Sequence, residues 1–380
     1  MKDTSERIQF LDFMRGFAVI FMVMGHSIDS VLSVQLRATE GFRLYDAIRG
    51  FTAPIFLFVS GYAYIVATEN KWNAFRSLSK PMAKRLMKIG LLIMIGYALH
   101  FPFFSFGKLL TNTRPDEFAQ FFQADVLHCV AASLLILQVL LFMTRTSRQF
   151  AIAVLVLDVM IIVATPLIWQ IDFAPIVSPV LSPYFNQTQL SIFPLFPFAA
   201  FLLTGVVAGH FYLEAKRKGS EDAFRKNLLV AAAVAIALGI DFDLLPIQLY
   251  PTHDYWKASP NWFLIRIGIV TLISVAFSYV RRMPPLVERN LIMLGKASLL
   301  IYPIHLLIVY GSAANDGLMQ RIGQSLAAQQ AVLIGLLVLS SMVLLTYAWN
   351  FLRTKYFVPA RLIQLGLVST ILYSFLTRPW

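Results

Sequence analysis

FLDFMRGFAVIFMVMGH, residues 10–26, lies in an apolar run from Ile8 to Ser33 that also carries Asp12, Arg15, His26 and Asp29. About 20 mostly apolar residues in a helix cross the hydrocarbon of a bilayer, so the run predicts a spanning helix. An ionisable group at that depth costs roughly 3 kcal/mol or more unless it is paired or wetted, which makes each one a functional candidate. At about 100° per residue the four side chains share one face of the helix, within an arc of roughly 100°. Arg15 and His26 sit eleven residues apart, about 16 Å along the axis at 1.5 Å per residue.

Comparable runs follow almost back to back. Spans are expected near residues 8–33, 44–67, 85–105, 125–144, 149–170, 190–213, 228–246, 262–280, 291–312, 331–352 and 360–377. The expectation is an all-α polytopic integral membrane protein with 10–11 transmembrane helices, organised as a single membrane domain over residues 1–380. The composition agrees: 58% of residues are hydrophobic, 14% are charged and the mean hydropathy is +0.69, outside the range of water-soluble domains.

The net charge of +12 does not point to nucleic acid, because no basic stretch belongs to a fold that could present it to a groove or a strand. It reads instead as topology. With a cytoplasmic N-terminus, 21 of the Lys and Arg residues fall on inner segments and 8 on outer ones, while Arg15, Arg266 and Lys296 lie within spans. This alternation follows the positive-inside rule. No small-residue cleavage site follows the first run, so that span is expected to stay. The single cysteine, Cys129, cannot form an intrachain disulfide and reads as inert packing.

The candidate chemistry rests on few residues. An arginine near the inner end of a span suits a phosphate, and a histidine farther along can take a proton from a hydroxyl or amine. Arg15 and His26 fit those tasks, and Asp29, three residues from His26, could orient the imidazole. The structural alternatives are a snorkelling arginine and a packing histidine. Asp125 and His128, also three apart, are either an interfacial pair or part of an acceptor site near the outer surface. In GKASLLIYPIH (295–305), Ser298, Tyr302 and His305 fall on one side, and Pro303 can kink the helix and free a carbonyl. Arg266 either binds an acceptor or anchors a helix end, while Trp256 and Trp262 hint weakly at sugar stacking. His100 and His210 carry no assigned chemistry. No Walker loop, dinucleotide fingerprint, zinc-protease motif or nucleophile elbow is present, and no metal site is expected. The absence of an internal repeat weighs against a transporter.

Several segments resemble known families. Leu11, Asp12, Arg15, Gly16 and His26 are similar to the first span of the acyltransferase-3 family, Phe56, Ser60, Gly61 and Tyr62 to its aromatic second span, and 295–305 to a late serine-tyrosine-histidine span. DVLHCVAASLLIL (125–137), FPFAAFLLTGVVAGHFY (196–212) and SPNWFLIRIG (259–268) resemble more closely the bacterial relatives of heparan-alpha-glucosaminide N-acetyltransferase. The 34–50 loop has no histidine where the human lysosomal enzyme's family carries its reactive one, which puts an acyl-histidine at that position in doubt.

The resemblance implies an acyltransferase of the bacterial inner membrane that moves an acetyl group from cytoplasmic acyl-CoA to a hydroxyl or amine of a glycan or amino sugar at the outer face. It implies that Arg15 helps hold the CoA phosphates and that His26 is the general base or a transient acyl carrier. The orientation of the spans puts Tyr62 and Lys296 with Arg15 on the donor side, Asp29 and His305 with His26 among the catalytic groups, and Asp125, His128 and Arg266 on the acceptor side. The implied partners are acyl-CoA, the sugar acceptor, the lipid bilayer and, as an open option, a second copy of the chain as a homodimer. The rival expectation is a transporter or flippase of a glycan or polar lipid-linked solute, using the same buried charges as a relay.

Overall fold

The computed structural model describes residues 8–111, 114–247, 249–280 and 283–378. Lys2, Arg7, Arg281 and Arg282, counted above on the inner side, lie outside the described residues. Among the described residues there are helices and connections but no strand. The expected all-α membrane fold is therefore observed.

Nine stretches among the described residues are helical, long and apolar enough to cross a bilayer. They are α1 (Gln9–Val31), the consecutive α2 (Glu40–Arg49) and α3 (Thr52–Glu69), α5 (Val126–Met143), α6 (Ser147–Ile168), α7 (Leu195–Lys218), α8 (Glu221–Leu244), α9 (Pro260–Tyr279), α12 (Ala328–Lys355) and α13 (Phe357–Thr377). Helices α10 (Pro285–Lys296) and α11 (Ser298–Val309), bent by 80° at their junction, are together long and apolar enough for either a broken span or a re-entrant loop. The remaining expected span corresponds to α4 (Lys80–Leu99). Lys80, Lys84, Arg85 and Lys88 occupy its first half, and the apolar part from Ile89 to Leu99 covers only about 16 Å.

Chain segments cluster into two compact units. The first contains the start of α1 as far as Met14, with α3 from Ala53, α4 as far as Gly96 and α5 to α9. Lipid tails are as apolar as leucine, so helices in a membrane associate by close packing and polar contacts instead of by expelling water. The crossing of α3 and α7 shows this. A Cβ at Gly61 would lie 1.8 Å from the Leu202 carbonyl oxygen, and one at Gly205 would lie 2.0 Å from that of Phe58. Each glycine lets the other helix's backbone press against its own. Helices α6 and α7 are tied by a polar contact inside the unit, where the Thr204 hydroxyl donates to Asp158 at 2.8 Å. Arg85, on the charged half of α4, lies over the Phe75 ring at 3.4 Å and donates to Thr68 at 2.8 Å.

The second unit contains the rest of α1, then α2, residues 97–121 and α10 to α13. Its core includes Val19 and Val23 of α1, Leu294 of α10, Ile301 and Val309 of α11, and Val338 of α12. Here Gly16 is the contact point, since a Cβ would meet the Leu291 carbonyl oxygen at 2.2 Å. The end of α1 is held by two backbone hydrogen bonds, from Leu326 to the Val31 carbonyl at 3.0 Å and from Ser33 to the Leu326 carbonyl at 2.9 Å. Along α13, Leu362, Leu365, Val368 and Ile371 stay exposed, as a lipid-facing helix requires.

Replacing Gly61 or Gly205 with Ala should destabilise the protein by about 1–3 kcal/mol, the range for overpacking a tight contact. The same change at Gly90, where a Cβ would meet nothing within 4 Å, should leave thermal unfolding in detergent unchanged.

Candidate active site

The second unit brings together residues far apart in the chain. His26 lies on α1 beside Gly25. His305 is carried by α11, whose direction is set by the 80° bend at Ala297 and whose Pro303 cannot donate to the carbonyl one turn back. The two imidazoles are hydrogen bonded, His26 Nδ1 to His305 Nε2 at 3.0 Å, with ring centroids 5.2 Å apart and planes 19° from parallel. The spacing within α1 could not reveal this partner, which lies 279 residues away.

The proton positions follow from the neighbours. His305 is fully buried, and its Nδ1 lies 2.9 Å from the Ile301 carbonyl oxygen. A carbonyl only accepts, so Nδ1 of His305 carries the hydrogen, and in the neutral ring Nε2 is then the acceptor. His26 must therefore donate from Nδ1, which leaves the lone pair of its own Nε2 free. The backbone of α11 at His305 thus sets the tautomers of two histidines, and the outcome is a ring nitrogen ready to accept a proton. Tyr302 packs edge-on against His305 with centroids 5.9 Å apart, and Tyr310 lies 5.7 Å from the His26 ring.

Asp29 does not orient His26. Its carboxylate is taken by two arginines, Arg37 Nη1 at 2.8 Å and Arg49 Nη1 at 3.4 Å, and Arg37 also donates to the Asp29 backbone carbonyl. Guanidinium groups are stronger partners for a carboxylate than a neutral ring nitrogen. The orienting group for His26 is His305. Arg49 also binds Asp46 at 2.6 Å, and its stem packs on α1 where a Cβ at Gly25 would come within 3.0 Å. Tyr45 completes this wall by donating to the Gly25 carbonyl at 3.2 Å.

Arg15 is half-buried on α1, next to the Gly16 contact with α10, and Lys296 is exposed at the last position of α10. Tyr62 belongs to the first unit. It is 1% exposed, and its hydroxyl has no hydrogen-bond partner among the described residues. Its side chain borders a cavity of about 420 Å³ whose lining includes Gln9, Tyr212, Lys216, Arg225 and Ser274. The Tyr62 and Tyr212 rings are 5.8 Å apart. Two cations and two phenols around one cavity make a site suited to phosphate and to a flat ring.

Asp125 and His128 have a structural task in the first unit. The Asp125 side chain accepts from the His128 backbone N–H at 3.0 Å, and His128 Nδ1 lies 2.8 Å from the Asp125 carboxylate and 3.3 Å from the Asp125 backbone nitrogen, closing the first turn of α5. Both are buried, at 2% and 0% exposure, and the imidazole fills the space over Gly96, where a Cβ would lie 2.5 Å from it. The i, i+3 spacing is the spacing of a capping box. Arg266 lies 5.0 Å from the Trp262 ring centroid, and Trp262 packs edge-on against Trp256 with centroids 4.8 Å apart.

Arg37, Arg49, Tyr45 and Tyr310 of the second unit were not among the expected site residues, nor were Tyr212, Lys216 and Arg225 of the first. A signal existed for two of them: Arg37 and Arg49 count against the positive-inside bias, and both follow closely on an aspartate at the end of a span.

Substituting Asp125 with Ala should lower stability by about 1 kcal/mol, within the 0.5–2 kcal/mol range for lost N-caps, while Asp125→Asn keeps most of it. Thermal unfolding of the purified protein reads both.

The family model for the heparan-alpha-glucosaminide N-acetyltransferase catalytic region matches residues 7–240. No match is found among curated proteins. The matched segment includes His26, Asp29, Arg37, Arg49 and Tyr62, and ends before His305 and Tyr310. A polytopic helical chain, a paired histidine inside it and a family match over more than half its length agree: the chain belongs to the heparan-alpha-glucosaminide N-acetyltransferase catalytic family of membrane acetyltransferases.

Proposed function

We propose that this protein transfers an acetyl group from cytoplasmic acetyl-CoA to a hydroxyl or amino group of a sugar acceptor at the outer face of a bacterial inner membrane, with its N-terminus in the cytoplasm. The observation that carries the reading is the histidine pair. His26 Nε2 takes the proton of the acceptor's O–H or N–H as that atom attacks the thioester carbonyl. The tetrahedral intermediate collapses with cleavage of the C–S bond, and the proton on His26 Nε2 passes to the departing thiolate. The ring ends as it began.

His305 acts as a positioning residue. By accepting from His26 Nδ1 it holds the ring and its tautomer, the task that a carboxylate performs in many hydrolases. Arg49, fixed by Asp29 and Asp46, adds positive charge near the ring, where negative charge develops on the carbonyl oxygen. Asp29 thus serves through the arginines. On the donor side, the phosphates of CoA need cations. Lys216 and Arg225, around the Tyr62 cavity, are one set, and Arg15 and Lys296, in the second unit, are the alternative. Arg266 with Trp262 and Trp256 is suited to a sugar, through a cation and aromatic faces. The bent α10–α11 pair also occurs in transporters, but membership of an acetyltransferase family favours the enzyme.

General-base catalysis contributes about 10²- to 10⁴-fold in rate, so His26→Ala should reduce acetyl-CoA turnover with an amino-sugar acceptor by that factor without loss of thermal stability. Free CoA release by the purified protein measures it, and a variant that keeps most of the wild-type rate would overturn the role of His26.

A further inference from the structure

Helices α6 and α7 leave a groove on the outside of the first unit, with a volume of about 460 Å³. Its walls are apolar and exposed: Ile152 and Leu155 on α6, at 52% and 44%, and Phe211 on α7, at 50%. At one end stand Arg148, in the first turn of α6, and Lys218, the last residue of α7. A second groove of about 400 Å³ runs along the other side of the same ridge, toward Ala223 and Ala231 of α8. The two share Phe211, Glu214 and Lys218.

The charges at the polar end are unevenly neutralised. Arg217 is paired with Glu69 at 3.0 Å. Glu214, which lines both grooves, lies 3.6 Å from His210, a ring that is charged only when protonated, so two cations stand against one carboxylate at this end and a net positive charge remains. Ser147 donates to Glu69 at 2.7 Å and touches His210 Nδ1 at 3.0 Å, which completes a closed network beneath. Arg148 and Lys218 have no acidic partner among the described residues. Both are exposed, at the ends of adjacent helices, where the hydrocarbon gives way to the polar interface. The apolar walls continue inward from them: Leu155 lies seven residues along α6 from Arg148, a rise of about 10 Å.

We infer that this double groove binds one diacyl anionic phospholipid, its phosphate between Arg148 and Lys218 and its two acyl chains on either side of Phe211. A free phosphate would use the two cations but would leave both apolar channels uncovered. A neutral lipid would fill the channels and leave the cations unmatched. Basic sites between membrane helices are a recurring way to hold an anionic headgroup. The lipid belongs to the leaflet at which α6 begins. The inference does not depend on the reaction proposed above, since it uses other residues and needs only that α6 and α7 span a bilayer.

The test is native mass spectrometry of the full chain in detergent micelles containing equal amounts of phosphatidylglycerol and phosphatidylcholine, read as the ratio of the two lipids in the first bound adduct. Each basic residue near a membrane surface favours an anionic lipid about fivefold, so Arg148→Gln with Lys218→Gln should lower the phosphatidylglycerol preference about thirtyfold. Leu155→Trp keeps both charges and fills a channel, and should reduce adducts of either lipid. Millimolar inorganic phosphate should not displace the bound phosphatidylglycerol. An unchanged preference in the double charge variant, undiminished adducts in Leu155→Trp, or displacement by phosphate would each overturn the inference. All the variants lie on the exposed surface, and thermal unfolding checks that they fold.

Discussion

Inside a bilayer there is no water to satisfy the polar groups that helices carry inward, so each must find a partner within the protein or line a cavity. The organisation of both units follows from that constraint. Some hydroxyls on the spans return to their own helices, as when Ser60 donates to the Phe56 carbonyl at 2.7 Å and Thr346 to that of Met342 at 2.7 Å. Asp125 satisfies a backbone donor at the start of α5 and lies against the His128 ring. Asp29 takes two arginines. The histidine pair is the special case: it is internally bonded, yet the direction of its hydrogen bonds leaves one nitrogen of His26 without a proton to donate.

That direction comes from the backbone of α11, where the Ile301 carbonyl accepts from His305 Nδ1. If Ile301 did not accept from His305 Nδ1, either imidazole could donate to the other and His26 could equally well present an N–H. A histidine as the orienting group also differs from a carboxylate. It brings no negative charge into the membrane, so the charge balance beside His26 is set by Asp29 and Asp46 against Arg37 and Arg49, two carboxylates facing two guanidiniums.

Much of the fold could be read from the chain alone, because a spanning helix declares itself by length and hydropathy without reference to any other segment. The spans at Gln9–Val31, Val126–Met143 and Ala328–Lys355 needed nothing more. The bend between Lys296 and Ser298 was less open to prediction, since Pro303 announces a kink but the break falls at Ala297. For the site, one helix face identified His26, and a separate late motif identified His305. Their meeting is a tertiary event between α1 and α11 that no local spacing encodes. The same limit explains Asp29: three residues from His26 is a good distance for a contact, but competition with Arg37 and Arg49 is decided by where the chain after α1 returns. Asp125 and His128 show the converse, where a spacing that fits a functional pair is also that of a helix cap.

The central claim is that His26 Nε2 is held bare by a chain of hydrogen bonds from Ile301 through His305. Nitrogen-15 magnetic resonance of the histidine-labelled protein at neutral pH, with signals assigned by substituting each histidine in turn, tests this most directly. The account predicts that both His26 and His305 carry their proton on Nδ1, and that His305→Phe abolishes the preference at His26. A His26 ring protonated on Nε2 in the unsubstituted protein would contradict it.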